Sequence, residues 1–219
     1  MSLFTTYSAE NYEYSLTAAG YIALAVIMLL FLAGIFVFSK STKQLKTKQL
    51  VFSALAMALA MVTSYLKLAS LPFGGSITLF SMFFICLIGY LYGTRVGLMT
   101  AIAYGFLQLI IDPYIYSPVQ MLLDYPLAFG ALGLSGIFSN KKHGLVLGYA
   151  IGVVGRYIFH VLSGYIFFAS YAPEGMNPFL YTLTYNATYI VPELIATVIL
   201  LSIPAVSKGL KQVKIMAFE

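Results

Sequence analysis

Charge is scarce in this chain. Asp, Glu, Lys and Arg together make 9% of 219 residues, while apolar residues make 61% and the mean hydropathy is +0.91. Soluble domains are about 25% charged and about half apolar, so the composition excludes a soluble protein and points to an integral membrane one. Cysteine is nearly absent as well. Cys86 stands alone inside an apolar block, which excludes disulfides and Cys-based metal sites and leaves it as a small core residue. No phosphate-binding P-loop occurs, so any step driven by ATP must draw on another chain. HExxH and GxSxG signatures are missing, and two histidines alone do not make a metal site. Neither an enzyme nor a cofactor is expected. The first sixteen residues are polar, hold Glu10 and Glu13 and lack a basic leader, so the first apolar stretch should stay as a helix rather than be cleaved. A long internal repeat of the kind that builds inverted-repeat carriers is also missing.

What the chain does have is a series of apolar blocks. They cover residues 16–38, 50–68, 77–91, 96–111, 118–138, 145–171 and 178–206. They run from 15 to 29 residues, and all but the two shortest are long enough to cross about 30 Å of hydrocarbon at 1.5 Å per residue. A barrel would show alternating segments of about ten residues instead. The fold class expected is therefore an all-α integral membrane protein. Lys40, Lys43, Lys46, Lys48, Arg95, Lys141, Lys142, Lys208, Lys211 and Lys214 all fall on one side if the chain crosses at every block. The positive-inside rule makes that side cytoplasmic, with the N-terminus outside and the C-terminus inside the cell membrane. The net charge of +5 thus reflects topology and calls for membrane lipid, not nucleic acid. Lys67 alone departs from the pattern, and a lysine one turn from a helix end can snorkel to the interface. The polar linker at 39–49 divides the chain into residues 1–49, with an accessory helix and basic linker, and residues 50–219, with six helices.

Ionisable residues at membrane depth are costly and tend to mark a substrate or ion path. Asp124 precedes Tyr125 and Pro126, and Pro126 should loosen the local backbone ladder. Its carboxylate suits an amine, an amidine or a cation; the alternative is a structural ion pair with Arg156. Arg156 and His160, four apart, share a helix face. His160 is either a packing residue or a contact for a heterocycle, and Arg156 reads as an internal strut. Tyr181 and Asn186 sit among Phe167, Phe168, Tyr171, Tyr185 and Tyr189, and aromatic walls with a few convergent polar groups suit a small heterocycle. Tyr171 and Tyr189 read as members of an interfacial aromatic belt. Glu193 either pairs internally or takes up a proton. Ala54 with Ala58, and Ala56 with Ala60, are small residues four apart, suited to close helix approach within this chain or against a partner.

Several strings in one order add to this reading: ALAMV at 58–62, GGSITL at 74–79, SPVQMLLDYPLAF at 117–129, RYIFHVLSG at 156–164, YAPEGMNP at 171–178 and YTLTYN at 181–186. Together the segment from about 50 to 207 resembles the ThiT family, the thiamine-specific substrate-binding S-components of energy-coupling factor (ECF) vitamin transporters. The resemblance implies a six-helix S-component bundle, preceded here by one extra N-terminal transmembrane helix. It implies thiamine bound near the outer face beneath a loop between the first two helices of that bundle. Asp124 and Tyr125 would contact the aminopyrimidine, with His160, Phe168, Tyr181, Asn186 and Tyr114 completing the substrate-binding set. Ala56 and Ala60 would dock the membrane coupling subunit, which works with two ATPase subunits. Two departures stand out: the family usually has Glu where this chain has Asp124, and it uses tryptophans against the ligand where this chain has none. The alternatives are a stand-alone proton-coupled vitamin carrier using Glu193 or Asp124, or an S-component for a related pyrimidine or thiamine precursor.

Overall fold

A computed structural model describes residues 5–8, 13–23, 26, 30, 45–71 and 75–219. The expected accessory helix at 16–38 lies largely outside the described residues, although 18–23 are helical. Before it, β1 (Thr5–Ser8) and β2 (Glu13–Leu16) form an antiparallel pair. The main body is helical: α1 (Thr47–Ser64), α2 (Ser81–Tyr92), α3 (Thr94–Ile111), α4 (Pro118–Phe138), α5 (Gly144–Phe167), α6 (Pro178–Ser202) and α7 (Pro204–Phe218). A small hairpin of β3 (Ala69–Ser70) and β4 (Ser76–Ile77) joins α1 to α2. Five of these helices (α1, α3, α4, α5 and α6) are long and apolar enough to cross a bilayer. With its alternating blocks, this is a multi-pass membrane protein.

Several helix limits differ from the sequence expectation, and two of them have a clear local reason. The block at 77–91 is strand at its start, and its helix begins only at Ser81, because Phe80 adopts a left-handed backbone (φ 65°). That leaves α2 as a short apolar helix of 12 residues. The last block ends at Ser202 because Ile203 is extended (ψ 124°), the conformation that a following proline favours. Pro204 then starts a further helix, so the basic tail is α7 rather than loose chain. Tyr92 and Lys48 bond the Ala217 and Met216 carbonyls at its last turn, groups a helix end leaves without internal partners.

Close backbone approach holds α4 in the bundle. Its last part, Ala131–Phe138, is a 3₁₀ helix that runs against α2, α3 and α5. A Cβ at Gly136 would lie 2.2 Å from the Thr94 nitrogen, and one at Gly133 would lie 2.5 Å from that of Leu98. Only glycine fits at either place. Ala56 and Ala60 are buried on the inner face of α1, while Ala54 and Ala58 are exposed. The former pair therefore serves helix packing within this chain.

Polar side chains in the core are paired, as a low-dielectric interior demands. Thr100 donates to Ser53 (3.0 Å), Ser135 to the Cys86 carbonyl (2.8 Å), and Tyr149 to Thr197 (3.0 Å). Glu193 is buried and accepts from Thr78 Oγ1 (2.7 Å), Ser81 Oγ (3.2 Å) and the Met82 N–H (3.0 Å). Its carboxylate thus caps the N-terminus of α2 from across the bundle, where a negative charge meets unpaired amides and the positive helix end. Of the two roles left open for Glu193, internal pairing is the one observed.

Candidate functional site

The site lies at the end of the bundle opposite the lysine clusters, and α4 builds its floor. Ser117 caps that helix by accepting from the Gln120 N–H (3.1 Å), and Pro118 occupies its first turn, where a missing N–H costs nothing. Five residues later the helix widens into a π turn, Leu123–Leu127, with Pro126 inside it. Proline has no N–H for the regular ladder, and such turns recur at functional sites. Asp124 and Tyr125 both sit on this turn, as the proline's expected effect on the ladder foretold.

Three side chains hold the Asp124 carboxylate. Oδ2 accepts from Gln120 Nε2 (2.7 Å) and Ser163 Oγ (2.9 Å), and Oδ1 lies 3.1 Å from His160 Nδ1. Arg156 Nε donates to His160 Nε2 (3.2 Å). A neutral imidazole has one donor and one acceptor, so accepting at Nε2 places its proton on Nδ1, aimed at Asp124. The ion pair weighed between Asp124 and Arg156 is thus not a direct contact. Imidazole stands between them, and the guanidinium carbon lies 4.0 Å from the Phe129 ring centroid, within reach of a cation–π attraction. A carboxylate offers about four lone-pair sites. Three are taken, which leaves one for a donor from a bound molecule.

Asp124, His160 and Tyr189 form a common wall between two cavities. One, about 400 Å³ with its mouth, is closed by Ser163, Phe168, Tyr181 and Asn186. The other, about 650 Å³ with its mouth, takes in Tyr114, Tyr125, Gln108 and Arg156. A third cavity, about 560 Å³ with its mouth, adjoins the second through Gln108, Phe129 and Arg156 and reaches Glu193. Lys67 and Asp112 line it and form an exposed ion pair of 2.7 Å, so Lys67 has a partner as well as an interface.

The structure brings together every residue expected to bind substrate. Asp124 and His160 line both main cavities, Tyr114 and Tyr125 the larger, and Phe168, Tyr181 and Asn186 the smaller. Tyr125 also ties the loop after α3 in place: its hydroxyl donates to the Asp112 carbonyl (3.0 Å) and accepts from the Tyr114 N–H (2.7 Å). Asn186 donates to the Thr182 carbonyl and accepts from the Tyr189 hydroxyl. Ala56 and Ala60 are not part of this cluster. Phe168 meets Tyr116 (5.4 Å between centroids), Tyr114 (6.0 Å) and Tyr171 (6.2 Å), so the wall there is built of tyrosine and phenylalanine.

Sequence reasoning missed some contributors. Tyr189, assigned to an interfacial belt, is buried and stands edge-on to His160 at 6.0 Å. Gln120, four residues before Asp124, and Ser163, three after His160, lie on the helix faces that those residues define, and that spacing was the signal available. Gly75 donates its N–H to the Tyr185 hydroxyl (3.3 Å), and a Cβ there would lie 2.7 Å from the same oxygen. The hairpin end therefore rests on α6. The remainder of the expected covering loop, residues 72–74, lies outside the described residues.

Residues 50–212 match the family described as Thiamine transporter protein. Over 165 residues, 69% of this chain and 84% of the relative, the chain is 39% identical to thiamine transporter ThiT of Bacillus subtilis. A second relative, thiamine transporter ThiT of Lacticaseibacillus paracasei, is 29% identical over 130 residues, 50% of this chain and 65% of its own length. The solved structure of ThiT from Listeria monocytogenes superposes with a TM-score of 0.58 at 26% identity, covering 72% of this chain and 96% of that one. The chain belongs to the thiamine transporter protein family.

Proposed function

We propose that this family member binds thiamine between α4, α5 and α6 and serves its uptake as the S-component of an ECF transporter. The observation that carries the reading is the Asp124 carboxylate, oriented by Gln120, His160 and Ser163 with one lone pair left over, beside walls of tyrosine and phenylalanine. An aminopyrimidine supplies an N–H donor for that lone pair. A thiazolium supplies a fixed positive charge, which aromatic faces and a carboxylate attract.

The roles follow from placement. Asp124 accepts from the amino group, His160 orients Asp124 and offers its edge, Phe168 and Tyr181 stack on the ligand, and Asn186, Tyr114 and Tyr125 complete the pocket. The N-terminus lies outside and the C-terminus in the cytoplasm, which puts the site at the outer face and the lysines at the anionic inner leaflet. Residues 1–49 form an accessory segment with its own transmembrane helix, and residues 50–219 form the substrate-binding domain, a six-helix S-component bundle in which α2 is the short sixth member. A coupling subunit and two ATPases supply the energy, since no P-loop occurs in this chain. The buried positions of Ala56 and Ala60 move any docking role on α1 to its exposed face.

Calorimetric titration of the purified protein with thiamine, with the free aminopyrimidine half as competitor, tests the reading. Tight, saturable, one-to-one binding is expected; folded protein that shows no heat with thiamine would overturn it.

A further inference from the structure

At the opposite end of the bundle a recess of about 1000 Å³, mouth included, opens between the start of α5, the end of α6 and the start and middle of α7. Lys142, Lys211 and Lys214 all line it, and none of its lining residues is acidic. Glu219, the carboxylate at this end, lies in a separate recess with Lys46 and Lys48. Three lysines therefore line one space whose walls supply no carboxylate.

From these observations we infer that the recess is a binding site for a phosphate ester, a function distinct from the thiamine pocket and independent of it. Lys214 is held in place on one wall: its Nζ lies 3.3 Å from the Tyr90 hydroxyl and 4.7 Å from that ring's centroid. Lys142 and Lys211 stand on α5's approach and on α7, so an anion between them would join two elements. Leu145 and Val146 also line the recess, and as first-turn residues of α5 they carry amide N–H groups without intrahelical partners. A 24-residue helix adds its positive end. The rest of the wall sets Leu201 and Leu210 beside the polar side chains of Tyr90, His143 and Ser207.

Cationic side chains beside aliphatic ones suit an amphiphile that carries a phosphate, or the phosphate head of a small ester. An anionic phospholipid and a soluble phosphate ester share this chemistry, and the test separates them.

The full chain is purified in detergent, and native mass spectrometry follows retention of added phosphatidylglycerol, phosphatidylcholine and glycerol 3-phosphate. Two double variants are compared: K142Q/K211Q, which removes two of the three lysines that line the recess, and K141Q/K208Q, which removes the same charge from residues that do not line it. At a loss of roughly fivefold per lysine, the first should retain phosphatidylglycerol about twenty-fivefold more weakly, and the second should retain it like the parent. The same dependence with glycerol 3-phosphate alone assigns the site to soluble esters; dependence seen only with phosphatidylglycerol assigns it to lipid. Equal losses in both double variants, or no preference for phosphatidylglycerol over phosphatidylcholine together with no retention of glycerol 3-phosphate, would overturn the inference. Matching melting temperatures for both variants and the parent guard against misfolding as the cause, and K142R/K211R, which keeps the charge, should restore binding.

Discussion

Replacing Asp124 by Asn is the sharpest test of the site, because it changes one atom and leaves the shape. The carboxylate accepts from Gln120, His160 and Ser163, and its fourth lone pair is assigned to thiamine. An Asn side chain keeps one acceptor oxygen and adds an NH₂ that meets only donors. Either the ligand or one of the three protein donors then loses its partner. A hydrogen bond to a charged group contributes about 1.5–3 kcal/mol, and losing one weakens binding roughly 10- to 150-fold. Calorimetry on Asp124→Asn reads this directly, with a thermal melt in detergent as the control for folding. Ser163→Ala serves as the companion: it removes one donor, keeps the charge, and should weaken binding far less. Thiamine affinity within twofold of the parent in Asp124→Asn would show that the carboxylate does not contact the ligand, and the chemical assignment would fail with it.

Other expectations concern the aromatic wall and the packing. Phe168→Ala should weaken thiamine binding by about 0.5–2 kcal/mol, the scale of an aromatic or cation–π contact, while Phe168→Trp should retain it; fluorescence of the introduced indole on titration reports the contact. Gly136→Ala forces a methyl against the Thr94 backbone, and overpacking of this kind costs about 1–3 kcal/mol, visible as a lower melting temperature. Glu193→Gln should lower it too, since a buried acceptor for Met82, Thr78 or Ser81 is replaced by a donor at a cost of about 1–3 kcal/mol; an unchanged melt would rule out the capping role. By contrast, Lys67→Met should change the melt by less than about 1 kcal/mol, because the pair with Asp112 is exposed and such pairs are weak.

Much of the site was legible because charge inside hydrocarbon is conspicuous: Asp124, Arg156 and His160 stand out in apolar runs, and four-residue spacing put the last two on one face. The link between them was harder to see. Helical spacing relates residues on one helix, but the partner of Asp124 is chosen by how α4 and α5 cross, and that depends on glycine contacts along their length. Tyr189 escaped for a similar reason: a tyrosine near a helix end reads equally as interface or pocket until its burial is known. Five of the seven expected spans followed from hydropathy, while the late start of α2 and the break at Ile203 did not. The first depends on a left-handed Phe80, a conformation rare for a bulky residue. The second was marked by Pro204, whose effect on the preceding residue a hydropathy window does not register.

The π turn in α4 has a consequence for how this protein can change. One inserted residue swings everything beyond it by about 100° around the axis, so the segment carrying Gln120 and Asp124 and the segment carrying Gly133 and Gly136 take their bearings separately. A straight helix would tie the direction of the ligand-facing side chains to that of the close-packed glycines. With the two uncoupled, substitutions such as Glu for Asp at position 124 can retune what is recognised without disturbing how the helices fit. The single turn at Leu123–Leu127 makes one transmembrane segment two independently variable surfaces.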